Sequence, residues 1–198
     1  MRKPADLRKA EIVATVLELA DRIGPDRVTT GAAASAIGVS QAALFRHFPT
    51  KAALWQAVAE QLAERLASAW DDALRTSEGP LVRLRALIAA QFAQIAATPA
   101  LPTLLFSREL NVTNAELRTT FRGRLMAFHS LLAREVDAGQ KAGLLRGDIA
   151  ANDAAALLTS LVQGMAIRWA LGTRDFDLQH EGLRLFDVQR QLLSEEGE

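Results

Sequence analysis

The sequence predicts an all-α protein, and three observations carry that expectation. Ala and Leu supply most of the 49% hydrophobic share, and both are strong helix formers. Apolar residues return at three- and four-residue steps along nearly the whole chain. No segment alternates apolar and polar residues as a half-buried strand does. At 198 residues the chain suits either one domain or a small domain joined to a larger one.

Leu7, Ile12, Val16, Leu19, Ala20 and Ile23 fall on one helical face and predict a first helix over about 6–23. Gly24 and Pro25 stop it, glycine by taking a left-handed cap and proline by lacking an N–H. Thr29 or Thr30 then supplies an N-cap for a short helix over about 30–37, which Gly38 closes. Ser40 caps the next helix, about 41–47, and Val39 stands five positions before Leu44, the placement of a hydrophobic staple. Pro49 ends that helix, and Thr50 caps a longer one over about 51–74, with Leu54, Val58, Leu62, Ala69 and Trp70 on its inner side.

"RTSEGP" at 75–80 reads as a linker. It divides the chain into an N-terminal domain, 1–58, carried on the helix over 51–74, and a C-terminal helical domain, 75–198. Helices follow at about 81–97, 102–110, 114–142, 150–171 and 176–194, separated by "ATPALP", "NVTN" and "GLLRGD".

Composition removes several classes of function. The chain has no cysteine, so disulfides, thiolate metal sites and a cysteine nucleophile are excluded. His47, His129 and His180 form no H-x-x-x-H pair, and there is no G-x-S-x-G, G-x-G-x-x-G or Walker loop. The expectation is therefore no catalytic residues, no metal and no cofactor. No secretory signal or uninterrupted run of about 18 apolar residues stands out, which predicts a cytoplasmic protein with no membrane partner. Net charge is zero, yet residues 1–55 carry 8 Lys+Arg against 5 Asp+Glu while the remainder carries 15 against 18. The positive excess lies at the N-terminal end, where an anionic polymer would be met.

The short helix at 41–47 explains where that polymer would bind. On a wheel of about 100° per residue, Leu44 and Phe48 share the inner face. Ala42 and Arg46 lie opposite, flanked by Ala43 and His47 on one side and Gln41 and Phe45 on the other. Small residues beside long hydrogen-bonding ones form a shape that enters a major groove closely and reaches base edges through Gln41 and Arg46. Ser40, Lys51, Thr29 and Thr30 stand at helix starts and suit phosphate.

"VTTGAAASAIGVSQAALFRHFPTKAALWQAV", residues 28–58, resembles the DNA-binding domain of the tetracycline-repressor (TetR) family of bacterial transcription regulators. The resemblance implies that the second and third helices form a helix-turn-helix, with residues 41–47 as the recognition helix. It implies that Thr29 and Thr30 touch phosphate, that Gln41, Ala42 and Ala43 face bases, and that Phe45, Arg46, His47 and Lys51 lie at the backbone or groove edge. Two positions depart from the family pattern. Phe45 lacks the hydroxyl of the tyrosine common there, and Gly31 cannot reach a base as a long basic residue in that position can.

The segment over about 150–171 is apolar almost all the way round, so it is expected to be buried on two sides. With the last helix it predicts a four-helix interface between two copies, as the resemblance also implies. Leu157, Leu161, Gly164, Arg168, Leu185, Phe186 and Gln189 are its expected contacts. The resemblance further implies a small-molecule inducer, for which Phe92, Phe106, Phe121, Phe128, His129, Met165 and Trp169 are the expected pocket residues. The functional expectation is a dimeric repressor that binds a palindromic operator on double-stranded DNA and is released by the inducer. The alternative is an all-helical protein-interaction module.

Overall fold

Residues 5–194 are described in the computed structural model. Among them are ten α-helices, one 3-10 turn at Pro25–Arg27 and no strand. The helices are α1 Ala5–Ile23, α2 Thr30–Ile37, α3 Gln41–Phe45, α4 Lys51–Arg75, α5 Pro80–Ala97, α6 Ala100–Phe106, α7 Arg108–Thr113, α8 Ala115–Lys141, α9 Ala151–Leu171 and α10 Leu178–Leu193. By internal contacts the chain forms two compact units. The first holds the chain up to Glu64 together with Thr98–Arg122, and the second holds Arg65–Ala97 together with the chain from Gly123 onward. The division between them falls inside α4, because the helix runs unbroken from Lys51 to Arg75.

Local chemistry sets most of the boundaries. Gly24 takes a positive φ of 85° after α1, but its ψ of 144° lies outside the left-handed helical cap expected there, and Asp177 caps α10 by accepting from the His180 N–H at 3.0 Å. Between α8 and α9 the turn is held by Gln140, whose Nε2 donates to the carbonyls of Arg146 and Ile149 at 2.9 and 2.7 Å. There Arg146 grips Asp148 through two nitrogens at 2.6 Å each, which lowers the Asp148 carboxyl below its ordinary pKa.

The single helix expected over 102–110 is instead two. Ser107 breaks it in an extended conformation and caps α7 by accepting from the Leu110 N–H at 3.0 Å. The side-chain amide of Asn111 donates to the carbonyls of Leu104 and Ser107 at 3.1 and 2.7 Å, so the carbonyls freed by the break are satisfied. Leu7, assigned to the inner face of α1 by its spacing, is 59% exposed. It stands a full turn before Ile12, where the buried stripe begins.

In the first unit α1 packs on α2 and α6, and α2 packs on α3. Its core includes Ile12, Val16, Ala33, Leu44, Leu54, Trp55 and Leu101. In the second unit α10 packs on α5 and α9, and α5 also meets α9. Trp70, near the end of α4, donates its indole N–H to Gln91 at 2.9 Å and lies 5.1 Å from the Phe128 ring. Among the described residues Glu135 is the buried carboxylate of this unit, 3% exposed, and is held by Arg134 at 3.0 Å with Arg83 at 3.9 Å. That pairing offsets the cost of burying its charge.

Helix α9 is long and apolar enough to cross a membrane by length and composition. Its buried side chains, among them Ala155, Leu158, Val162 and Met165, lie within the second unit. Leu157 and Leu171 remain 52% and 79% exposed, so within one chain the helix keeps an open apolar flank.

Among the glycines of this unit Gly182 leaves the least room for a side chain. A Cβ added there would meet the Phe92 ring at 2.4 Å, and Phe92 is fully buried, so the ring would have to shift within the core. Gly182→Ala is therefore expected to destabilise the protein by about 1–3 kcal/mol, seen as a lower midpoint in thermal or urea unfolding. Gly123→Ala, where nothing lies within 4 Å of the added atom, is expected to raise stability by up to about 1 kcal/mol through helix propensity.

Candidate nucleic-acid interface

The exposed surface of the first unit is organised by three helix starts. Thr29 Oγ1 accepts from the Ala32 N–H at 3.0 Å, Ser40 Oγ from Ala43 at 3.2 Å, and Thr50 Oγ1 from Ala53 at 3.0 Å. Each hydroxyl satisfies a donor that the helix itself leaves without a partner. Between α2 and α3 the chain reverses at Gly38, which holds φ 74° and ψ 35°. The Val39 N–H reaches back to Ala34 O at 3.0 Å and the Gly38 N–H to Ser35 O at 3.1 Å. This is the paired closure of a left-handed helix end, and it fixes the direction in which α3 departs.

Helix α3 turns Leu44 inward at 1% exposure, with Phe48 behind it at 6%. Gln41, Ala42 and Arg46 are exposed, Ala43 and His47 are half-buried, and Phe45 is 37% exposed. Its regular part is shorter than the expected 41–47, ending at Phe45. Arg46 keeps helical angles and the Phe48 N–H still reaches Leu44 O at 3.0 Å, so the turn continues until Pro49 ends it. Lys51 is exposed at the first position of α4. Neither Arg46 nor Lys51 has a carboxylate partner among the described residues, which leaves both cations open to an external anion.

One contact here has no signal in the sequence. The Gln41 side-chain amide donates through Nε2 to Thr30 Oγ1 at 2.8 Å, joining the starts of α2 and α3 across eleven positions. A second such link ties Ser107, between α6 and α7, to the chain just ahead of α2, where its hydroxyl donates to Asp26 at 2.6 Å. The pattern "Ser-Arg-Glu-Leu" at 107–110 is a helix-start signature that marks the break, although not its partner.

The expected pocket residues do not gather in one unit. Phe106 and Phe121 belong to the first, and Phe92, Phe128, His129, Met165 and Trp169 to the second. Phe106 is corrected to a surface residue: it ends α6 and is 49% exposed. Phe92 and Phe128 pack against Gly182 and Trp70, and His129 is half-buried. A groove of about 440 Å³ lies between α5 and α10, lined by Leu81, Val82, Arg85, Ala86, Ala89, Asp187 and Arg190, and none of the expected pocket residues is among them. Among the expected interface residues, Leu157, Gly164 and Arg168 are exposed and Leu161, Leu185 and Gln189 half-buried. Phe186 is corrected to a core residue, 1% exposed, because it stands on the flank of α10 that faces its own unit. Among the described residues no three His, Cys, Asp or Glu side chains are grouped as they would be around a metal ion.

Residues 12–58 match the model of bacterial regulatory proteins of the tetR family, and residues 80–185, more than half of the chain, match that of the BetI-type transcriptional repressor C-terminal region. Nucleoid occlusion factor SlmA of Aliivibrio fischeri (strain MJ11) is 32% identical over 119 residues, 60% of this chain and 60% of that protein. SlmA of Vibrio vulnificus (strain YJ016) is 34% identical over 114 residues, 56% of this chain and 57% of that protein. The chain thus spans about 60% of the length of the curated relatives it matches. Solved structures share the fold, among them two regulators. The ketosteroid transcriptional regulator KstR2 of Mycobacterium tuberculosis superposes with a TM-score of 0.80 at 16% identity over 96% of both chains. A regulator from Saccharomonospora viridis in complex with choline gives 0.84 at 22% identity over 96% of this chain and 100% of that one.

The left-handed Gly38 makes its replacement a direct probe of the turn. Gly38→Ala meets no atom within 4 Å yet forces a side chain into the left-handed region, so about 1–2 kcal/mol of stability is lost. Gly38→Asn loses less, and urea unfolding of the two variants should rank them in that order.

Proposed function

The chain belongs to the TetR family of bacterial regulatory proteins, and from that premise we propose that it is a ligand-responsive repressor of transcription that binds a palindromic operator as a homodimer. The observation that carries the reading is the outer surface of α3 with its surroundings. Gln41 and Ala42 of α3 and Arg46 just after it are exposed beside an exposed Lys51, with Leu44 and Phe48 buried beneath them. Gln41 and Arg46 reach base edges, the alanines permit close approach in the major groove, and Thr29, Thr30, Ser40 and Lys51 hold phosphates. Ala43, Phe45 and His47 complete the groove-facing edge.

Repression is supported by the likeness of residues 80–185 to BetI-type repressors. A small-molecule effector is supported by the shared fold of a regulator solved in complex with one. Release requires the effector to favour a conformation whose two recognition helices no longer fit successive groove turns, since only differential affinity shifts that equilibrium. The dimer rests on the open flank of α9, where Leu157, Leu161, Gly164, Arg168 and Leu171 recur at steps of three and four, and on exposed Val188 and Leu192 of α10 beside Leu185 and Gln189. A two-fold pair places the recognition helices about 34–36 Å apart.

Light scattering at micromolar concentration should give a dimer mass, and a monomer mass would refute the interface. In fluorescence anisotropy with an operator selected from random DNA, Gln41→Ala or Arg46→Ala is expected to reduce discrimination by about 1–3 kcal/mol. Lys51→Ala should weaken all sequences alike and make the slope of log K against log salt shallower by about one. An operator shift that survives the triple alanine variant of Gln41, Arg46 and Lys51 would disprove the site. Pull-down of genomic DNA fragments by the untagged protein separates this reading from a protein-interaction module.

A further inference from the structure

The Thr30 hydroxyl differs from most others in the chain. In helix interiors the hydroxyls of Thr15, Thr119 and Thr159 spend their hydrogen on the carbonyl four residues back, at 2.8 to 3.0 Å. Thr30 is the first residue of α2, and its hydroxyl donates to no carbonyl of the 3-10 turn before it. The capping of α2 belongs to its neighbour, Thr29. Thr30 Oγ1 instead accepts from Gln41 Nε2 at 2.8 Å, and its own hydrogen has no acceptor among the described residues. Gln41 keeps one further N–H and its Oε1, both without a partner among the described residues.

We propose that Thr30 is a specificity-determining residue that sets the polarity of the Gln41 amide, so that this position reads adenine; the inference rests on the DNA-binding reading above. A phosphate oxygen only accepts hydrogen bonds. When the Thr30 hydroxyl donates its single hydrogen to phosphate, it can only accept from Gln41. The amide is then obliged to spend one Nε2 hydrogen on Thr30, and it presents the other N–H and Oε1 to the groove. One donor beside one acceptor matches the N7 acceptor and N6 amino donor of adenine. In the reverse orientation Oε1 would take the Thr30 hydrogen and both amide hydrogens would face the groove, which suits the two acceptors of guanine. The backbone grip at Thr30 therefore decides between two purines that it does not touch.

The test uses the full-length protein and an operator enriched from random DNA, with the position read by Gln41 identified as the one whose preference Gln41→Ala removes. Wild type should favour adenine over guanine there by about tenfold or more. Thr30→Val keeps the size and branching of the side chain and leaves the Thr29 cap in place, so circular dichroism and the melting point should hold. It should bring the adenine to guanine ratio close to one, and Thr30→Ser should restore it. Where Thr30→Val fails to fold, Thr30→Ala takes its place. A guanine preference in wild type overturns the proposal. So does a Thr30→Val variant that binds every sequence less tightly by one common factor with the ratio unchanged, since Thr30 would then be a phosphate grip alone. A wild-type protein that enriches no sequence refutes the DNA-binding reading itself.

Discussion

Helices α2 and α3 are eight and five residues long, far shorter than a helix that stands by itself in water. What holds them is a device used three times in twenty-five residues, a hydroxyl at 29, 40 or 50 accepting the N–H three residues ahead. The left-handed turn at Gly38 joins the first two of these starts and the burial of Leu44 and Phe48 anchors the second. The exposed row of α3 inherits its direction from that frame. Its side chains need no contact among themselves to be aligned, because the caps and the buried pair have already fixed the axis that carries them.

Much of this was legible because its causes are local. A cap, a left-handed glycine and a proline each act within a few residues, so the bounds of α1, α2 and α4 can be read to within one or two positions of where they lie. The apolar spacing of α4 likewise identifies Leu54, Val58 and Leu62, all buried. Ser107 is harder, since serine is tolerated inside helices and the break depends on Asn111 collecting the freed carbonyls. The Gln41 contact with Thr30 is harder still, because it depends on how two helices cross rather than on either helix.

Aromatic residues were the least legible of the site expectations. Spacing shows that Phe92, Phe106 and Phe186 lie on helices, but not which flank each neighbouring helix covers. The result is one phenylalanine wedged against a glycine, one on the surface and one in the core. The apolar character of α9 illustrates the same limit. It announces burial on more than one side, while the single chain covers only the flank of Leu158 and Val162 and leaves Leu157 and Leu171 open.

The fit of Phe92 against Gly182 has a mechanical meaning. A ring that occupies the space of a missing Cβ blocks sliding and rotation alike, since either motion drives it into backbone. Helices α5 and α10 are held in register at that point, and Arg85 meets Asp187 at 3.6 Å along the same pair. A motion that slid α5 along α10 would have to displace the Phe92 ring first.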